Sequence, residues 1–198
     1  MQQIGKLLSI PPRTEPQSGK PKSMPSLPQK ALRGSPLPGA EWSKVTPELR
    51  TKLTKAFQFD RWPWYLHGPA GSGKSYAAAC IYNSWDKGWP WWCEASKIIP
   101  EFVKRRIEGG ASAVQNSIRD CGLIVLDDVA IRECTPAQAE AFLMFINLRG
   151  RKPFICTGNI HPTKLSTILD DRIASRLTSG VMIGVEGSDR RLEDAEVL

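Results

Sequence analysis

"HGPAGSGKS", residues 67–75, decides the fold. Gly68, Gly71, Gly73, Lys74 and Ser75 match the pattern G-x-x-x-x-G-K-[ST], with Pro69, Ala70 and Ser72 between them. Glycines at this spacing let the backbone curl so that its N–H groups point inward at a bound phosphate. A helix starting at Lys74 adds the positive end of its dipole. Lys74 supplies charge to the terminal phosphates, and Ser75 offers a hydroxyl to Mg²⁺. An ordinary glycine-rich turn could match by chance, but the flanks suit the mechanism. "WPWYLH" (62–67) reads as a short buried strand and "KSYAAACIYNSW" as a helix.

Outward from the loop, strands and helices alternate. Thr46, Pro47 and Glu48 open a helix that runs to about Phe57, with a hydroxyl cap and a proline where no N–H is needed. "WWCEA" reads as a second strand and "SKIIPEFVKRRIEG" as a helix whose first turn Pro100 disturbs. "CGLIVLDDV" (121–129) is a continuous apolar run suited to a sheet covered on both faces. "TPAQAEAFLMFINLRG" has a Thr-Pro start and a Gly stop, and "KPFICTGN" and "GVMIGV" supply two more strands. The pattern predicts an α/β, three-layer P-loop fold with a five-stranded parallel sheet and right-handed crossovers.

A strand ending in two carboxylates needs a reason, because buried charge is costly without a partner. Asp127 is expected to hold Mg²⁺ through water, opposite Ser75. Asp128 is expected to orient or deprotonate an attacking water, with capping of the next turn as its ordinary alternative. In the additional-strand class of P-loop ATPases the fourth strand lies between the first and third. Asn159 would then stand beside the γ-phosphate and position the water; a turn residue is its ordinary alternative.

The chain's 198 residues and 22.0 kDa allow one good core. No apolar run approaches the roughly 20 residues of a membrane span. "MQQIGKLLSI" is too short an apolar stretch for a secretory signal. The five cysteines show no C-x-x-C pair, and only two histidines are present. These read as reduced thiols in a cytoplasmic protein rather than a disulfide frame or zinc site. The formal charge is +7, and most of it lies at the start. In residues 1–40, Lys6, Arg13, Lys20, Lys22, Lys30 and Arg33 stand against Glu15 alone, amid half of the chain's prolines and no aromatic residue. This reads as a disordered basic arm, with an ATPase domain over 41–198. The arm is either a solvated linker or a tether for nucleic acid or a partner protein. Trp85, Trp89, Trp91 and Trp92 are expected to pack in the core; stacking on bases is the alternative for one at an exposed edge.

No N-K-x-D motif for guanine is present. A small-molecule kinase would need an acceptor pocket and an arginine-bearing lid, and residues 160–178 do carry arginines. The second carboxylate and the Asn after the fourth strand suit a water nucleophile better. "YLHGPAGSGKSYAAACI", "CGLIVLDDV", "FICTGNI" and "DRIASRLTSGVMIGVEGSDRR" resemble, in this order, AAA+ ATPases of the DnaC/IstB type. These are bacterial and phage helicase loaders and transposition helpers. The resemblance covers roughly Phe59 to Arg191. It implies an ATP- and Mg²⁺-dependent ATPase that loads or remodels a ring helicase on single-stranded DNA in replication. Lys74 and Ser75 become Walker A, Asp127 and Asp128 Walker B, and Asn159 sensor 1. "DRIASRL" matches the box that supplies an arginine finger, with Arg176 the better candidate and Arg172 next. A finger reaches a neighbour's γ-phosphate, so a homo-oligomer with sites completed in trans is implied. The alternative is that these arginines pair with Asp170 or Asp171. The chain leaves no room after its fifth strand for a helical lid domain, as in that lidless group. Two departures stand out: Asp128 where most AAA+ members have Glu, and Ala130 where a Gly often follows the acids. Transposition helper, small kinase and non-hydrolysing switch remain the alternatives.

Overall fold

The computed structural model describes residues 36–129 and 134–187. Ala130, the Asp189-Arg190-Arg191 run and residues 1–35 of the arm lie outside the described residues. Five strands, β1 (Trp64–His67), β2 (Pro90–Glu94), β3 (Leu123–Val129), β4 (Phe154–Gly158) and β5 (Val181–Gly184), form one sheet in the order β2-β3-β4-β1-β5. Every pairing is parallel, and β4 lies between β1 and β3 as expected for the additional-strand class.

The apolar run of β3 serves two cores because successive side chains point to opposite faces. Leu123 and Val125 pack with helices α1 (Pro47–Phe59) and α2 (Lys74–Asn83). Ile124 and Leu126 pack on the other face with α3 (Ala95–Ile107), α4 (Ala111–Asp120), α5 (Pro136–Arg149) and α6 (Asp171–Thr178). The tryptophans of β2 alternate in the same way. Trp91 joins Phe145 on one face, and Trp92 meets Tyr82 on the other. Each such burial contributes roughly 2–3 kcal/mol. Trp89, just before β2, stays partly exposed. Cys80, Cys93, Cys121 and Cys156 are buried.

Thr46 caps α1 by accepting from Leu49 N. Thr135 and Gln138 close a reciprocal capping box on α5, which ends at Gly150. Three boundaries differ from the sequence reading. β1 begins at Trp64, two residues late. Ala95 belongs to α3, and Pro100 sits well inside that helix. Past Ile107 the chain turns at Gly109, in the left-handed region, and forms α4, which the sequence reading left without an element.

Arg149, 1% exposed at the end of α5, fastens the entry ends of β3 and β4. Its guanidinium donates to Pro153 O, Ile118 O, Cys121 O and Gly122 O at 2.6–3.1 Å. At the other margin, residues 36–44 lie along α2. Asn83 Nδ2 donates to Leu37 O and Pro38 O, Glu41 N donates to Tyr76 Oη at 2.9 Å, and Trp42 Nε1 donates to Ser84 Oγ. The described chain thus reaches upstream of Glu41, and residues 36–40 of the span read as arm pack on the domain.

Candidate functional site

β1 delivers the chain into the loop at Gly68, and α2 begins at Lys74. Gly71 and Gly73 adopt positive φ of 70° and 97°, which a residue with a Cβ takes only under strain. The Lys74 side chain turns back into the loop. Its Nζ donates to Gly68 O at 2.9 Å and Pro69 O at 2.5 Å, with Ser72 Oγ at 3.5 Å. Ser72 and Lys74 are both buried.

Across the loop stand the ends of β3 and β4. Ser75 Oγ donates to Asp127 Oδ1 at 2.8 Å, and the Thr157 hydroxyl donates to the same oxygen. Asp127 is half-buried and Asp128 exposed. The strand does not end at the acids but runs to the 129 boundary read from the sequence. It continues to Val129 through an irregularity in register, with Asp128 at a φ of 61°. Asp128 N donates to Thr157 Oγ1 at 3.0 Å.

A cavity of about 510 Å³ is lined by Ala70, Gly71, Gly73, Lys74, Ser75, Asp127, Asp128 and Asn159. Leu37, Lys44, Tyr76 and Thr157 complete the lining. Gly68, Pro69 and Ser72 belong to the same loop and act through the Lys74 contacts. The sequence-identified P-loop, carboxylates and Asn159 therefore converge on one space. Neither arginine lines it. Arg172 is held by Asp170, with Nε to Oδ1 and Nη2 to Oδ2 both at 2.9 Å, the pairing weighed against a finger role. That hydrogen-bonded partner lowers the Asp170 pKa and raises that of Arg172. Arg176 is exposed on α6 and makes no ion pair among the described residues.

Ser75 and Asp127 offer a hydroxyl and a carboxylate on one wall of the cavity, a hard-oxygen set that fits Mg²⁺. Among the described residues no cluster of three His, Cys, Asp or Glu could hold a metal alone. Magnesium commonly takes one or two carboxylates plus phosphates and water, so the two observations agree. His67, at the end of β1, stays below its ordinary pKa through burial, with the His161, Lys52 and Lys74 charges adding to the effect. No helix among the described residues is long and apolar enough to cross a membrane.

Sequence reasoning missed Thr157, Leu37, Lys44 and Tyr76 as lining residues. Thr157 was visible inside "FICTGN", within β4 and two residues before Asn159. The others come from chain that only folding brings to the loop.

A phosphate loop between β1 and α2, carboxylates on β3, a polar residue after β4 and the order β2-β3-β4-β1-β5 define a P-loop ATPase domain of the AAA+ type. The model of the bacterial DnaA ATPase domain family matches residues 44–184, and the chain belongs to that family. The chromosomal replication initiator protein DnaA of Acinetobacter baylyi is 27% identical over 146 residues, covering 71% of this chain and 31% of that protein. The chain thus spans about a third of that relative's length. Among solved structures, the replication initiator DnaA bound to AMPPCP and single-stranded DNA is similar, with a TM-score of 0.63 and 20% identity over 73% of this chain and 47% of that one. The DnaC helicase loader has a TM-score of 0.63 and 15% identity, covering 74% of this chain and 97% of that one. At these identities the two structures speak to the fold. The resemblance first seen toward the DnaC/IstB type is shown at the level of the AAA+ domain and its fold, and the family matched is DnaA.

Proposed function

We propose that this chain hydrolyses ATP and uses the cycle in DNA replication, loading or remodelling a ring helicase on single-stranded DNA. The observation that carries the ATPase reading is the convergence of Lys74, Ser75, Asp127, Asp128 and Asn159 on one cavity. The loop N–H groups and Lys74 bind the phosphates. Mg²⁺ held by Ser75 and Asp127 would neutralise charge on the β- and γ-phosphate oxygens. Asp128 and Asn159 orient the attacking water, and Asp128 accepts its proton. Arg176 completes the site of a neighbouring copy. The DnaA family, and the likeness to a helicase loader over nearly that protein's whole length, support the replication role. The DnaA structure with single-stranded DNA supports the nucleic-acid partner. A kinase reading would need an arginine-bearing lid over the phosphates, and neither Arg172 nor Arg176 lines the cavity.

The test is a pair of variants with ATP turnover and binding of a fluorescent ATP analogue measured in each. Lys74→Ala removes the ammonium and abolishes binding. Asp128→Asn keeps binding, since Ser75 and Asp127 are intact, and loses turnover. An Asn variant with parental turnover refutes the roles given to the two acids. Capture of a ring helicase only in the presence of a non-hydrolysable ATP analogue is the expected partner result, and helicase-independent stimulation by a small acceptor refutes it.

A further inference from the structure

We propose that Thr157 is the positioning residue of this site, one hydroxyl that sets Asp127 and Asp128 in the relative geometry turnover requires. The inference rests on ATP hydrolysis at the cavity. Leu126 pairs with Cys156 and Val129 with Gly158, so Asp127 and Asp128 together stand opposite Thr157 alone. Two residues facing one make a β-bulge, and the extra residue loses its ladder partner. Here the extra amide is recovered by a side chain: Asp128 N donates to Thr157 Oγ1 at 3.0 Å. The same hydroxyl spends its hydrogen on Asp127 Oδ1. Asp128 sits at a φ of 61°, a region that a residue with a Cβ occupies only where its surroundings hold it. That backbone twist turns the Asp128 carboxylate to the cavity, which it lines. Thr157 itself is 1% exposed, on a strand paired on both sides, so packing fixes its rotamer.

The chemistry is selective. One atom must present a lone pair to an amide and a proton to a carboxylate, which only a hydroxyl does in this space. Valine has the same shape and can do neither. Without the hydroxyl, Asp128 N–H loses an acceptor, the bulge relaxes toward extended backbone, and Asp128 leaves the direction in which water would sit. Asp127 keeps Ser75 Oγ at 2.8 Å, so nucleotide binding survives.

The experiment compares the full chain with Thr157→Val and Thr157→Ser. Steady-state ATP turnover is measured, and exchange of the Asp128 amide hydrogen is followed by NMR. Thr157→Val lowers kcat by about 10–100-fold, leaves KM for ATP within about threefold and speeds Asp128 amide exchange by about tenfold. Thr157→Ser restores all three. If the valine variant fails to fold, Thr157→Ala carries the same expectations. Parental kcat in the valine variant, or an Asp128 amide still protected there, overturns the proposal. A serine variant as slow as valine also overturns it, because the methyl's packing would then be the cause. A parent chain without turnover sinks the ATPase reading instead, and the amide exchange then decides the Thr157 tie alone.

Discussion

Gly68→Ala offers a sharp test of how the phosphate loop is supported. The usual reason for this glycine is the phosphate, but the structure supplies another. A Cβ at Gly68 would stand 2.0 Å from Val185 O and 3.4 Å from Ser72 Oγ. Real Cβ contacts below 3.0 Å essentially do not occur, so loop and strand exit must part by about 1 Å. The strand exit cannot yield freely. Val185 N donates to His67 O at 2.7 Å, and Lys52 Nζ donates to Gly184 O at 3.0 Å while paired with Glu48. The loop therefore gives way. Overpacking costs about 1–3 kcal/mol and the strained Val185 hydrogen bond about 1 more, so a loss of roughly 2–4 kcal/mol is expected. In a chain of this size that lowers Tm by roughly 5–15 °C. A 1 Å shift of the loop should also lower turnover by about 100-fold. Thermal melting and ATP turnover are read side by side. Gly110→Ala is the control, since nothing lies within 4 Å of its Cβ and its φ of −96° suits any residue. A Gly68→Ala chain with parental Tm and turnover, or a Gly110→Ala chain equally damaged, refutes the reasoning.

If Arg176 acts in a neighbour's site, Arg176→Ala binds ATP but does not turn it over, and mixing it with Lys74→Ala restores part of the rate. Fingers contribute about 10³–10⁵ in turnover, so partial rescue is measurable, and no rescue on mixing places the finger elsewhere. Removal of residues 1–35 takes away the six basic residues and Glu15 while leaving the Leu37 wall of the cavity. Single-strand affinity should fall and its salt dependence flatten; unchanged values make the arm a contact for protein rather than DNA.

The phosphate loop, Asp127, Asp128 and Asn159 were legible because their chemistry is local: residue type and spacing carry it, and the flanking periodicities place them. The bulge was not. "LIVLDDV" reads the same with or without it, because register is a property of β4 as much as of β3. Thr157 gained its role only from that register. Arg149 looked like any basic residue near a helix end, and its burial depends on carbonyls 27 to 31 positions earlier. α4 escaped because, after Gly109 and Gly110, "ASAVQNSIRD" buries only Val114, Ser117 and Ile118. Arg172 was legible in the other sense: its partner Asp170 lies two residues away, and that pairing already stood in the sequence beside the finger role.

The peptide carbonyls around Arg149 have a consequence in acid. A carboxylate partner takes up a proton as pH falls and lets its cation go. Peptide oxygens do not titrate, and although burial lowers the Arg149 pKa, a guanidinium keeps its proton throughout the range in which proteins fold. The surface tie of Arg172 to Asp170, whose hydrogen bonds hold the Asp170 pKa low, loosens once that carboxylate protonates. The peg under β3 and β4 does not. Acidification should therefore loosen the start of α6 first, with the two central strands still moored at the end remote from the phosphate loop.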